Sequence, residues 1–111
     1  MATRSTITAR FSSGLYACLY CHYDGYLEGV GKTLKEHYTS EDKIVDLFKL
    51  RDLRCLENSP ELCEELDDGE YAQTGQFFED VQLEACQEFE YFWNAGVWYY
   101  REYGDTDFKE L

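Results

Sequence analysis

Residues 5–23, STITARFSSGLYACLYCHY, contain two runs with alternating side-chain character, joined by a serine-glycine turn. From Ile7 to Phe11 every second residue is apolar, and from Leu15 to Cys21 every second residue is aliphatic or cysteine. A period of two is typical of half-buried strands. Because the SSG at 12–14 is short enough to turn the chain, this stretch predicts an N-terminal β-hairpin.

A second hairpin is predicted in residues 89–103, FEYFWNAGVWYYREY, where aromatic, strand-favouring residues flank an Asn-Ala-Gly segment. Gly96 is free to adopt the positive φ of a tight turn. One aromatic face of this hairpin is expected in the core. The other, with Tyr16 and Tyr20 of the first hairpin, is expected either to form an exposed strip that anchors an interface, including that of a homodimer, or to be covered by a helix.

The region between the hairpins predicts four helices. Their expected ranges are 31–38, 40–53, 60–67 and 76–86. The second has the clearest signals, because Thr39 and Asp42 resemble a capping box and apolar residues follow at helical spacing. In the third, Ser59 is a capping hydroxyl and Pro60 suits the first helical position.

These elements predict an α+β fold. The expected architecture is an antiparallel sheet of two terminal hairpins, about four strands, packed against helices from the central region. The hydrophobic content of 44% favours a folded chain, and residues 1–111 are expected to form a single domain.

Charge is distributed very unevenly along the chain, whose net charge is −13. Residues 1–54 carry eight Lys/Arg against seven Asp/Glu, whereas residues 55–111 carry two against sixteen. Direct nucleic-acid binding by the acidic half is therefore excluded. Such a half is either a solubility feature or a surface for a positively charged protein partner.

Twelve carboxylates fall within residues 57–90 and recur every three or four positions along the predicted helices. Like charges at that spacing cost a helix about 0.2–0.5 kcal/mol per pair, so something other than folding must favour them. Two interpretations remain open: a solvated, solubilising face, or a nucleic-acid mimic that fits the Lys/Arg groove of a nuclease. The residues expected to contact such a partner are Glu57, Glu61, Glu64, Glu65, Asp67, Asp68, Glu70, Asp80, Glu84 and Glu88.

The glycine-rich residues 25–33 resemble the end of a phosphate-binding loop, because Gly31 is followed by Lys32 and Thr33. A GxxxxGK[ST] loop would need its first glycine at the position of Tyr26, so the spacing is wrong by one. We therefore expect no nucleotide site and assign Gly25, Gly29 and Gly31 to turns.

The two histidines, His22 and His37, lie in this same part of the chain. If the loop folds back, they can meet, with Asp24, Glu28 or Cys21 completing a four-ligand zinc site. The alternative is that His22 ends a strand and His37 lies on a helix surface. The sequence thus offers zinc as a cofactor at His22, Asp24, His37 and Cys21.

Five cysteines cannot all pair, and neither a secretion signal nor a membrane-length apolar run is apparent, which predicts reduced thiols in a cytoplasmic protein. Cys18 and Cys21 have CxxC spacing, but positions i and i+3 of a strand point to opposite faces. Buried thiols are therefore expected rather than a redox pair. Cys21 and His22 diverge because they are neighbours on a strand. A Cys21 and His37 pair is possible but has no orienting third group, so we predict no enzyme activity.

The segment YCHYDGYLEGVGKTLKEHY (20–38), followed by KIVDLFKLRDLRCL (43–56), resembles a family of small proteins encoded by bacteriophages and prophages. The resemblance spans about residues 4–56 and, more weakly, the C-terminal hairpin. Tyr23 stands where the family more often has tryptophan, and Arg51 where it has glycine. Neither departure removes a candidate ligand, although the second changes how the helix ends.

The resemblance implies a phage origin and, by association, an inhibitor of host defence. Small acidic phage proteins often act in this way, including anti-CRISPR proteins, some of which bind a metal. The leading hypothesis is a protein that binds and blocks a basic, nucleic-acid-handling host enzyme, such as a CRISPR effector nuclease, in the host cytosol. The alternative is a small zinc-binding domain with a structural or catalytic metal at the CHYDGY and EHY motifs.

Overall fold

The structure, a computed structural model, describes residues 3–81 and 88–111. Its eight strands are β1 (Ser5–Arg10), β2 (Tyr16–Cys21), β3 (Leu53–Cys55), β4 (Glu64–Glu65), β5 (Gln73–Gly75), β6 (Phe89–Asn94), β7 (Val97–Glu102) and β8 (Lys109–Glu110). Its α-helices are α1 (Lys32–His37) and α2 (Glu41–Leu47), with a π-helical turn at Leu27–Gly31 and 3₁₀ turns at Pro60–Leu62 and Phe78–Val81. No helix in the described ranges is long and apolar enough to cross a membrane.

All eight strands belong to one mixed sheet with the order β4-β3-β2-β1-β6-β7-β8. The hairpins β1–β2 and β6–β7 are antiparallel, as predicted, but β6 lies parallel to β1 and joins the two hairpins at the centre. The outer edge of β2 is shared. β5 pairs antiparallel with its first half, and β3 pairs parallel with it at Cys21.

The predicted fold class was therefore wrong. An antiparallel sheet of about four strands packed on central helices was expected, whereas the sheet is mixed, has eight strands, and is accompanied in the described residues by only two short α-helices. The alternation of side chains within each hairpin depends on neighbouring residues, so both hairpins could be predicted from the sequence. The parallel pairing of the two hairpins depends on the path of the chain through the whole central region, and no local sequence pattern specifies that path.

The helix predicted at 60–67 is replaced by other structure, and the one predicted at 76–86 is only partly described. After Pro60 a single 3₁₀ turn ends at Leu62 and the chain continues as β4. Leu62 is 63% exposed, so this acidic segment has too little apolar surface to bury a helix, and a helix of that length is marginal without burial. Within 76–86 the described part contains the 3₁₀ turn Phe78–Val81, and residues 82–86 lie outside the described residues.

The helices nearer the N-terminus follow the prediction more closely. α1 lies within the predicted range 31–38. α2 begins one residue later than its predicted start, because Ser40 rather than Thr39 is the N-cap and its hydroxyl accepts the Lys43 amide. It ends at Leu47, earlier than predicted, because Leu53 pairs with Cys21 in the sheet instead of continuing the helix.

The core lies between one face of the sheet and the two α-helices. Side chains from the four long strands point into it together with apolar residues of α1, α2 and β3. The largest are Ile7, Leu19, Leu34, Tyr38, Ile44, Leu47, Leu53, Tyr91, Trp93 and Trp98. On the other face Phe92 is half-buried and packs against Tyr16, Phe78 and Phe108. The second aromatic face is thus covered at Phe92 by Phe78 of a 3₁₀ turn rather than by an α-helix, and a homodimer stays a prediction.

Candidate functional site

The acidic residues cluster at one edge of the sheet, in a segment that we call the acidic arm (residues 57–70). The arm includes the 3₁₀ turn Pro60–Leu62 and the outermost strand β4, which pairs with β3. Half of its residues are acidic: Glu57, Glu61, Glu64, Glu65, Asp67, Asp68 and Glu70. This edge of the sheet is therefore strongly negative.

The first part of the arm is anchored through its backbone. The buried Tyr38, which directly follows α1, donates its hydroxyl proton to the carbonyl of Glu57 at 2.8 Å. The Lys43 ammonium of α2 donates to the carbonyl of Asn58 at 2.6 Å and lies 4.8 Å from the centre of the Tyr38 ring. The Cys63 sulfur accepts the Glu57 amide at 3.2 Å. These contacts fix residues 57–63 without using a carboxylate of the arm.

Asp52 anchors the other end of the arm to β2. One carboxylate oxygen accepts the Tyr20 amide at 3.3 Å, and the other accepts the Glu70 amide at 3.2 Å. The Asp52 amide donates to the Glu70 carbonyl at 2.8 Å, and the Asp52 carbonyl accepts the Leu66 amide at 2.9 Å. Asp52 thus satisfies the Tyr20 amide of β2. This amide lies between the part of β2 that pairs with β5 and the part that pairs with β3.

Most carboxylates of the arm remain free for solvent. Glu65 is the exception, since it accepts the Arg51 amide at 2.7 Å and lies 3.6 Å from Arg51 Nε. The other six are exposed and, within the described residues, form no ion pair with a lysine or arginine. The arm keeps its shape through backbone contacts and holds six negative charges outward.

The helical row of charge that the sequence predicted along residues 57–68 is not formed. Glu64 and Glu65 lie on a strand and Glu61 on a 3₁₀ turn, so Glu57, Glu61, Glu64 and Asp68 share no helix face. Asp80 is exposed in the 3₁₀ turn Phe78–Val81, and Glu88 is exposed just before β6. Glu84 lies outside the described residues. The negative charge of the acidic arm is therefore organised by a sheet edge rather than by a helix.

The predicted zinc ligands occupy different environments. The His22 Nδ1 atom and the Tyr20 hydroxyl are hydrogen-bonded at 2.8 Å, and His37 is the last residue of α1. Asp24 accepts a hydrogen bond from the Tyr26 hydroxyl at 3.3 Å. In the ranges that the structure covers, no group of three or more His, Cys, Asp or Glu side chains is placed to hold a metal ion. Zinc stays a prediction, tested by metal analysis of the purified protein and of a His22→Ala, His37→Ala variant.

The CxxC pair behaves as the strand geometry predicted. Cys21 points into the core, whereas Cys18 lies on the other face and accepts a hydrogen bond from the Thr8 hydroxyl at 3.3 Å. Burial raises the pKa of Cys18 to about 11 and that of Cys21 to about 12. Both thiols therefore stay protonated near neutral pH and are poor nucleophiles.

The glycine-rich loop is used for close packing. A Cβ on Gly25 would lie 2.7 Å from the Thr3 carbonyl oxygen, and one on Gly31 would lie 3.2 Å from the Tyr91 ring. The Tyr91 hydroxyl donates to the Gly25 carbonyl at 2.6 Å in the protein interior. Positive φ in this loop occurs at Asp24, so these glycines serve close packing rather than a left-handed backbone.

Sequence reasoning missed two residues on which the arm depends, Asp52 and Tyr38. Asp52 accepts amides 32 and 18 residues away, and Tyr38 bonds a carbonyl 19 residues away. The only sequence signal for Tyr38 was its place in the EHY triplet, and Asp52 had none. Long-range side-chain to backbone bonds of this kind leave no periodic pattern.

Comparison with known proteins adds no relative to this geometry. No protein-family model, no curated protein and no solved structure matches the chain. The features of the molecule that bear on function are consequently its charge distribution, the backbone anchors of the acidic arm and the exposed side chains.

Proposed function

We propose that the protein is a phage-encoded inhibitor that binds a basic, nucleic-acid-handling enzyme of the host, of the CRISPR effector nuclease type, through its acidic arm. The observation that carries this proposal is the separation of scaffold and charge. Tyr38, Lys43 and Asp52 hold the backbone of the arm through hydrogen bonds. Six carboxylates of the arm are exposed to solvent. A solubility feature would need the charge but not the fixed arrangement.

The mechanism would be occupation of the enzyme's nucleic-acid groove. Such a groove is lined by Lys and Arg that neutralise phosphates, and its affinity for polyanions falls steeply as salt rises. Exposed carboxylates on an anchored backbone offer those side chains an alternative set of negative partners and steer the encounter over long distances. The proposed site of action is the host cytoplasm, where such enzymes work.

The test is a charge reversal that leaves the anchors of the arm intact. We choose Glu61→Lys, Asp67→Lys and Asp68→Lys, because all three side chains are exposed, whereas Glu65 holds Arg51 and would perturb the fold. The matched control is Glu36→Lys, Asp107→Lys and Glu110→Lys, which changes net charge equally at exposed positions outside the arm.

A pull-down from host extract, eluted along a salt gradient, identifies the bound enzyme by mass spectrometry. DNA cleavage by that purified enzyme is then measured with each variant. We expect the native protein and the control to inhibit cleavage, with inhibition lost as salt rises, and the arm variant to be inactive although folded. Equal inhibition by both triple variants would show that only total charge matters, and no inhibition by the native protein would refute the proposal.

A further inference from the structure

A second exposed surface lies in the loop after β2, which we call the tyrosine loop (Tyr23, Asp24, Tyr26 and Glu28). Tyr23 and Tyr26 are each 40% exposed, although aromatic rings are usually buried in a domain of this size. Asp24 and Glu28 between and beside them are also exposed. The loop thus combines aromatic surface with negative charge.

The backbone of the tyrosine loop is held from three sides. The Tyr23 amide donates to the Arg54 carbonyl at 3.0 Å, the Gly25 amide to the Thr3 carbonyl at 2.9 Å, and the Val30 amide to the Asp24 carbonyl at 2.8 Å. The buried Tyr91 hydroxyl adds a fourth bond, to Gly25. Binding a partner here would cost little ordering of the loop, which is the condition for an efficient contact surface.

The two rings are also partly fixed. The His22 ring meets the Tyr23 ring edge to face, with 4.6 Å between their centres, and the Tyr26 hydroxyl donates to Asp24. The negative charge of Asp24, followed by burial and Glu28, raises the pKa of the Tyr26 hydroxyl. The Tyr26 ring consequently lies close to negative charge, where a cation is favoured and an anion is not.

The tyrosine loop adjoins the acidic arm through β3. Tyr23 is bonded to Arg54 of β3, and the next residue, Cys55, pairs with Glu64 of the arm. A partner seated on the arm can therefore reach the loop. The two surfaces differ in chemistry, since the arm offers carboxylates alone, whereas the loop offers carboxylates beside exposed rings.

We propose that the tyrosine loop binds arginine side chains of the partner, with the guanidinium plane stacked on Tyr23 or Tyr26 and its N–H groups directed to Asp24 or Glu28. A planar guanidinium satisfies both the rings and the carboxylates, whereas the compact ammonium of lysine stacks poorly. The inference rests on the proposed function, because it specifies the chemistry of the same basic partner. It adds selectivity for arginine over lysine, which charge on the arm alone does not give.

The probes are nona-arginine and nona-lysine, added to the full-length protein. Binding is measured by calorimetry and located by amide chemical shifts, for the native protein and for Tyr23→Ala and Tyr26→Ala. The matched control is Tyr103→Ala, since Tyr103 is 76% exposed and follows the exposed Glu102 in the sequence. All three tyrosines are exposed, so we expect each variant to fold. Circular dichroism is used to check this.

We expect each loop variant to bind nona-arginine about two- to fivefold more weakly, the size of an exposed cation–π contact, with little change for nona-lysine. Shifts should include residues 22–28, and Tyr103→Ala should bind as the native protein does. Shifts confined to residues 57–70, with unchanged affinity in the loop variants, would overturn the inference and leave the proposed function standing. Shifts confined to the loop would support the inference and remove the arm from the interface. If neither peptide binds, both proposals fall.

Discussion

Removing one buried hydroxyl provides a sensitive test of how the fold is held together. Tyr91 is fully buried in β6, and its hydroxyl donates at 2.6 Å to the carbonyl of Gly25, 66 residues earlier in the chain. In Tyr91→Phe the ring remains but the carbonyl loses its donor. An unsatisfied buried polar group costs about 1–3 kcal/mol, so we expect a loss of about 2 kcal/mol in the free energy of unfolding.

Such a loss is large for a domain of this size, whose total stability is about 5–15 kcal/mol. With a urea slope of about 2 kcal/mol per molar, the unfolding midpoint should fall by roughly 1 M. Tyr100→Phe is the control, because Tyr100 lies opposite Tyr91 in the β6–β7 pair and its hydroxyl forms no hydrogen bond within the described residues. We expect that control to remain within about 0.5 kcal/mol of the native protein. If Tyr91→Phe is equally stable, the loop is not fixed by this bond.

Three further predictions concern other parts of the sheet. Asp52→Ala removes the acceptor of two backbone amides. It should lower the free energy of unfolding in urea by about 2–4 kcal/mol and speed amide hydrogen exchange at Tyr20 and Glu70. Unchanged exchange at these two amides would contradict this role. Ala95 has a φ of 52° in the β6–β7 turn, so Ala95→Asn, which creates a favoured Asn-Gly turn, should stabilise the protein by about 0.5–1 kcal/mol, and a lower midpoint would refute it. Burial raises the pKa of Cys18 to about 11 and that of Cys21 to about 12, from 9.0. Because the thiols of the unfolded chain release their protons at lower pH, the free energy of unfolding should be unaffected below about pH 8 and fall between about pH 9 and 12. The fall should be smaller in Cys21→Ala.

The sequence predicted those parts of the fold that depend on neighbouring residues. Alternation around Ile7 and Leu19 and the turn at Gly96 were sufficient for both hairpins, which the structure confirms. The parallel pairing of β1 with β6 was not predictable, because it joins Ile7 to Tyr91 across most of the chain. The helix expected at 60–67 failed for a different reason: capping signals at Ser59 and Pro60 specify a start but cannot supply an apolar face.

The candidate site shows the same division. Acidic composition located the arm, because charge is a property of the residues themselves, but its shape depends on Tyr38 and Asp52, which act over long separations. The glycines were recognised as unusual, yet their role became visible only once Thr3 and Tyr91 were in place beside them. Local sequence therefore indicated which segments matter, and tertiary contacts decide what each segment does.

The arm can be altered without disturbing its scaffold, and this property separates the two interpretations of its charge. Its six outward carboxylates contribute no bond to the anchors, and neighbouring like charges repel one another. If they served solubility alone, their positions would be interchangeable with those of other exposed acids such as Glu36 or Glu110. If they form an interface, position matters and total charge does not. The proposal thus depends on where the charge is held, and Asp52 and Tyr38 hold it there.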